Sequence, residues 1–180
     1  KLIQVEKLLN LDPEPQLLAS IMAKKLAAGS THVLIDIPFG KSAKVTRKQA
    51  LGLKKKFQII AKHFKIKLQC ILTDGSQPIG NGVGPNLEIN DILSVLRQEK
   101  QRPLDLEKKA IKLSGIILEM TGKAKKSQGL KLAREILVSG RAYKKFEQII
   151  KAQNGKIKPL QKAKFQHNLL AKSEHKIIEI

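Results

Sequence analysis

Acid, aromatic rings and thiols are all scarce in this 180-residue chain. Against 35 lysines and arginines stand 15 aspartates and glutamates, a formal net charge of +20. Such a surface attracts anions such as phosphate, nucleotides, nucleic acid or acidic lipid. Aromatic residues make up 3% and tryptophan is absent, so a stacking platform for bases has little support. The lysines also lie along the whole chain rather than in one block; Lys54, Lys55 and Lys56 span most of a helical turn and cannot all face one groove. The lone cysteine, Cys70, cannot form an internal disulfide, which suits a reducing compartment, and its apolar neighbours make it a small core residue. No apolar run reaches 18 residues and the start is not signal-like, so neither a membrane span nor an export signal is expected. His32, His63, His167 and His175 stand at no metal-ligand spacing with one another or with cysteine, so no metal site is expected. There is no Gly-x-Ser-x-Gly elbow, no evident triad and no internal repeat, and the glycine-rich stretch 74–85 matches neither GxGxxG nor the phosphate loop that ends in Gly-Lys-Ser/Thr.

What is present is the pattern of an α/β protein. A hydrophobic share of 42% over this length suffices for one domain with a core. Residues 1–11 read as extended. Asp12-Pro13-Glu14 is a helix start, and the helix carries Leu17, Leu18, Ile21, Met22 and Leu26 on its apolar side before Gly29 stops it. His32 to Ile37 is a buried strand ended by Pro38 and Gly40. A helix over about 47–64 follows, with Ala50, Leu53, Phe57, Ile60 and Phe64 on one stripe, and then a second strand over 66–73. Strand, helix and strand make a parallel βαβ unit. Further helices are expected over 85–98, 104–121 (Leu106, Ala110, Leu113, Ile117 and Met120 inward), 129–139 and 141–153, with Leu87, Ile92, Val95 and Leu96 inward on the first of these. A lysine-rich linker covers 122–127, and short strands are possible at 163–165 and 176–180. The chain begins without methionine, in an alternating segment, and ends on Ile177-Ile178-Glu179-Ile180; it is expected to be part of a longer protein.

Several residues invite a chemical reading. Ser20 and Lys24, four apart, share a helix face and either read the edge of a planar ligand or form a solvated polar pair. Asp36 on the first strand needs a partner if buried, and Asp74 after the second is as readily a turn residue as a catalytic one. The stretch Asp74 to Pro85 holds four glycines and lies at the carboxyl end of a strand, where α/β proteins place ligands; a structural loop and a ligand loop fit it equally.

Three motifs in this order carry a resemblance: Ser20-Ile-Met-Ala-Lys24-Lys25-Leu-Ala, Val-Leu-Ile-Asp36-Ile-Pro-x-Gly40, and Leu-Thr-Asp74-Gly-x-Gln77-Pro78-Ile-Gly80-Asn81. Together they resemble the thymidine and pyrimidine-nucleoside phosphorylases. Leu11-Asp12-Pro13-Glu14, Gly29-Ser-Thr-His32 and Val83-Gly84-Pro85 bring the chain nearest the branch of archaeal AMP phosphorylases and long bacterial proteins named for thymidine phosphorylase. The likeness runs through Gly115 to Met120 and Ala133 to Leu137 to Phe146–Gly155, nearly the whole chain. It implies a partial large lobe of a nucleoside-phosphorylase-type fold, a βαβ-based mixed sheet flanked by helices. Residues 1–29 would belong to a helical dimerisation lobe, 30–155 to the large α/β lobe, and 156–180 would begin a C-terminal α+β region.

The implied activity is phosphorolysis, in which inorganic phosphate releases the base from a nucleoside or nucleotide as a sugar 1-phosphate. The implied enzyme is a cytoplasmic homodimer with phosphate as co-substrate, no other cofactor and no metal. Membrane is not among its partners and nucleic acid is not the expected one, although a basic nucleic-acid-binding module is the competing reading of the charge. In the family the Ser-x-x-x-Lys pair binds the base, which carries over to Ser20 and Lys24, with Leu17 and Ile21 as an apolar wall. The family's base-reading arginine has no counterpart, since no arginine precedes Arg47 and Gln4 or Val5 stands near its place. The loop after the first strand lacks the family's aromatic residue and carries Lys41 and Lys44, which would suit a substrate phosphate. Glu88 is the nearest match to a glutamate with which some relatives hold a monovalent cation. The family's glycine-rich and Lys-His-Ser phosphate segments are not in this sequence, so no catalytic residue is assigned and the chain alone is expected to be inactive.

Overall fold

The structure, a computed structural model, describes residues 14–156, 163–171 and 173–174. Its described elements are α1 (Glu14–Ala27), β1 (His32–Phe39), α2 (Arg47–His63), β2 (Lys67–Asp74), α3 (Pro85–Leu96), α4 (Leu104–Met120), α5 (Gly129–Val138) and α6 (Arg141–Ala152). The class is α/β, as expected. Residues 163–165 form no strand, and the expected extended segments at 1–11 and 176–180 lie outside the described residues. The chain divides into two compact units, one ending at Ser76 and the other beginning at Gln77.

The first unit is built on a parallel pair, β1 beside β2, with Ile35 opposite Cys70 and Pro38 opposite Thr73. Alternation puts Val33, Ile35 and Ile37 on one face, where they are buried with Cys70. Leu18 and Met22 of α1 and Ala50, Leu53, Phe57 and Ala61 of α2 complete the same core. The 47–64 stripe is therefore legible at the right period, except that Phe64 is exposed as the C-cap. Thr46 and Gln49 start α2 with reciprocal caps: the Thr46 amide donates to Gln49 Oε1 at 2.8 Å, and the Gln49 amide to Thr46 Oγ1 at 3.4 Å. Gly29, at φ +66°, ends α1 in a Schellman turn, with Gly29 N–H donating to Leu26 O and Ser30 N–H to Lys25 O. This turn leads straight into β1. Pro38 does not end β1 as expected; the strand runs on to Phe39, where the Gly75 amide donates to the Phe39 carbonyl at 2.9 Å. Proline lacks only a donor, and at the last turns of a short strand that loss is tolerated.

The second unit is helical. Its core comprises Val95, Ile111, Ala133 and Leu137, lined by Leu96, Leu106, Leu118 and Ala142. Two expected stripes are corrected. On α3, Leu87 and Ile92 are exposed and only Val95 is fully buried. On α4 the buried positions are Glu107, Ile111 and Gly115, while Ala110 is exposed. The reason is the partner helix. Gly115 and Gly129 bring α4 and α5 so close that a Cβ on Gly129 would lie 2.1 Å from the Gly115 carbonyl oxygen. That contact turns α4 by about one residue relative to its most apolar stripe. Glu119 then reaches the start of α5 and accepts from the Gly129 amide at 2.8 Å.

Glu107 is 5% exposed and is the sole buried charged group among the described residues. It accepts from Arg102 Nε and, at 2.8 Å, from Gln98 Nε2. Burial alone would push its carboxyl up. The hydrogen bonds from Arg102 and Gln98, with the charges of Arg102 and Arg134, outweigh burial and hold it below the ordinary glutamate range.

Candidate functional site

Ser20 and Lys24 lie one turn apart on α1, and both are exposed. Their strip borders the side of α1 that enters the core. Leu17 and Ile21 are half-buried and pack against that core, so only part of each remains to face a ligand. No arginine flanks the pair among the residues of α1.

The carboxyl ends of β1 and β2 form a second group of polar residues in the same unit. Asp36 points away from the Val33–Ile37 face and is half-buried; Thr73 Oγ1 donates to its Oδ1 at 2.7 Å. The partner that burial demanded is thus a cross-strand hydroxyl, two residues beyond the position opposite Asp36. Asp74 is exposed and accepts from the Ser76 amide at 2.9 Å. Hydrogen bonds from the Ser76 side chain and amide hold its carboxyl below the usual range, which is the signature of a turn. Between β1 and α2 runs the loop 40–45, closed at its base by Gly40 N–H donating to Val45 O at 3.2 Å. Lys41 and Lys44 are exposed on it.

The glycine loop of the second unit has a different character. Its amides, the groups that would cradle an anion, already have carboxylate partners. Asp91 Oδ2 accepts from Asn81 N–H at 2.7 Å and from Gly82 N–H at 2.8 Å. Asp105 Oδ2 accepts from Gly80 N–H at 3.1 Å, and Glu88 Oε1 from Gly84 N–H at 2.9 Å. Charge-assisted bonds of this kind are strong, and a ligand anion would have to displace them. Of the two readings of this loop, the structural one fits the geometry, and Glu88 is engaged in it. Among the described residues, no group of three His, Cys, Asp or Glu side chains could hold a metal ion. None of the described helices is long and apolar enough to cross a membrane.

No family model matches the chain. Individual proteins do. A protein of Legionella pneumophila (strain Corby) named "Putative thymidine phosphorylase" is 45% identical over 177 residues, which are 98% of this chain and 34% of that protein. The chain is a relative of thymidine phosphorylase-named proteins over about a third of their length. Proteins of the same name from Parvibaculum lavamentivorans (42% over 179 residues; 99% of this chain, 35% of that protein) and Rhodopseudomonas palustris (45% over 174 residues; 96% and 34%) match equally broadly. The resemblance read from the motifs of residues 20–40 and 72–81 therefore holds across the chain.

Beside these relatives, the residues that sequence reading missed are the ones that hold loops. Ser76, Asp91 and Asp105 carry no motif of their own, and Thr73, though inside the Leu-Thr-Asp74 motif, carries no assigned role there. Asp91, seven residues into a largely apolar helix and a few residues after a run of glycines, is the one that left a trace: a carboxylate there has bare amides within reach.

Proposed function

We propose that this chain is part of a pentosyltransferase that cleaves thymidine or a related nucleoside or nucleotide with inorganic phosphate. The products are free base and a pentose 1-phosphate. The observation that carries this reading is the Ser20–Lys24 pair, exposed one turn apart on α1, in a chain aligned over 98% of its length with a protein of that name. Negative charge gathers on the departing base as the glycosidic bond breaks. An ammonium facing a base carbonyl stabilises that charge more in the transition state than in the ground state, while the serine hydroxyl fixes the ring edge. Ser20 and Lys24 take these roles, and the exposed parts of Leu17 and Ile21 border the ring. Lys44 meets a substrate phosphate, which favours a nucleotide such as AMP as the alternative substrate within the same chemistry.

Phosphate must also be held in line with the sugar, and the segments that do this belong to the remaining length of such proteins. The 180 residues alone therefore have no activity. In the whole protein, residues 1–29 belong to a helical dimerisation lobe, 30–155 to the large lobe and 156–180 to a C-terminal region. The whole protein is a cytoplasmic homodimer needing phosphate but no other cofactor.

A chimera in which these 180 residues replace the matched third of the Legionella relative tests the reading. Phosphate-dependent release of base is expected, and Lys24→Ala should lower kcat by about a hundredfold, the scale of losing one stabilising donor. A folded but inactive chimera beside an active parent would refute it. The net charge of +20 supports a second reading, a nucleic-acid-binding module; tight binding of this chain to DNA or RNA that weakens steeply with salt would favour it.

A further inference from the structure

The segments that leave β1 and β2 touch at two points, and at each of them one partner is a glycine. A Cβ on Gly40 would lie 2.6 Å from Ser76 Oγ, 2.9 Å from Ser76 N and 3.0 Å from Ser76 Cα. A Cβ on Gly75 would lie 2.8 Å from Pro38 Cβ and 3.2 Å from Ala43 Cβ. The second loop is therefore wedged between the end of β1 and the middle of the 40–45 loop. One backbone bond joins the two segments, Gly75 N–H to Phe39 O, and each loop is closed on itself, the first by Gly40 N–H to Val45 O and the second by Ser76 N–H to Asp74 Oδ1. On its far side the 40–45 loop runs into the doubly capped start of α2. A six-residue connection with two lysines and three small residues would be mobile if left alone. Here both its ends and its middle are held.

We propose that Gly40, Gly75 and Ser76 form a clamp that presents Lys44 in a fixed position at the carboxyl edge of the sheet, and that they are positioning residues for its contact with an anionic group of the substrate. The positioning role rests on the reading of Lys44 given above; the clamp itself does not. Its function is pre-organisation. A lysine on a fixed loop loses less conformational freedom on meeting an anion than one on a free loop. The discrimination between a nucleotide and its nucleoside is then set by β2's turn as much as by the lysine.

Amide hydrogen exchange by NMR on the 180-residue chain tests the clamp. In Gly75→Ala the Gly40 amide should exchange at least about tenfold faster than in wild type, while the amides of Ile35 and Cys70 keep their protection, as in a local opening. Gly52→Ala, at a position with open space around it, is the control and should change neither. Ser76→Ala is the milder variant to use if Gly75→Ala does not keep the fold, and it too should speed exchange at Gly40; unchanged exchange there would equally overturn the clamp. Unchanged exchange at Gly40 in Gly75→Ala would overturn the clamp. Binding of thymidine against thymidine 5′-monophosphate, and of adenosine against AMP, tests the positioning. The preference for the nucleotide should fall about tenfold in Gly75→Ala, with nucleoside affinity unchanged, an asymmetry that loss of stability alone would not produce. A preference retained at the wild-type level overturns the positioning role, as does a wild-type chain that shows no such preference; the exchange rates decide the clamp in either case. Nucleoside binding unaffected by Lys24→Ala would count against the base site separately.

Discussion

In residues 14–76, ten buried side chains from α1, α2 and the two strands make an entirely apolar core, and the polar groups gather outside it, at the strand ends and on one strip of α1. In residues 77–156, four buried apolar side chains share the interior with Glu107, and four carboxylates, Glu88, Asp91, Asp105 and Glu119, accept from backbone amides of the loop and of a helix start. Both regions contain a glycine-bearing loop. In the first, the loop presents exposed lysines; in the second, the loop's amides are already occupied. The contrast teaches that glycine content alone does not mark a ligand loop. What counts is whether the loop's own amides are already taken up by carboxylates of the chain.

Four changes would break or sharpen this contrast. Phe57→Ala should have the largest effect, about 4 kcal/mol on the first unit, because the ring is 1% exposed and fills the space between α2 and the sheet. Methyl signals of Met22 would report its unfolding. Tyr143, the sole tyrosine, would report the helical unit, whose transition should stay where it is. Glu107→Ala should act in the opposite unit, by about 3 kcal/mol, since it strips a buried partner from Arg102 and Gln98. Denaturation followed by Tyr143 fluorescence checks it. Gly129→Ala comes next, at about 2 kcal/mol, because the added methyl meets the Gly115 carbonyl and the Glu119 side chain. A neutral result would mean that α4 and α5 do not cross as closely as described.

The smallest effect concerns pH. Glu107 is held below the ordinary glutamate value, near 4.3, so the stabilisation from its charged form is complete above that value. It is lost as pH falls through the lower folded value. The helical unit should therefore weaken as pH drops below about 4, and Glu107→Gln should flatten that slope. Denaturation midpoints of both proteins across this range would check it.

Much of the first unit was legible in the sequence because its elements obey one period each. Ala50, Leu53 and Phe57 step at helical spacing, Val33, Ile35 and Ile37 alternate, and Gly29 marks a helix end that the Schellman turn uses. The second unit was less legible because partners outweigh pattern there. The stripe through Leu106 and Ala110 is the more apolar one, yet the Gly115–Gly129 approach and the pull of Arg102 on Glu107 bring the neighbouring stripe inward. Two helix ends were also blurred, since Lys65 and Gln98 occupy the left-handed positions where glycine would have announced a stop. Of the site, Ser20, Lys24 and Lys44 were visible as types at a spacing. Gly40, Thr73 and Gly75 stood in the motifs but their roles, like that of Ser76, were not visible, because they depend on strand register and close approach across more than thirty residues of chain.

The measurement that tests the account most directly is a residue-resolved NMR titration of the 180-residue chain with thymine, thymidine and AMP. Shifts should centre on Ser20 and Lys24, extending to Lys44 with the nucleotide, while the amides of Gly80, Asn81, Gly82 and Gly84 stay in place. Shifts centred on Gly80–Gly84, with α1 unmoved, would contradict the division of roles between the two regions.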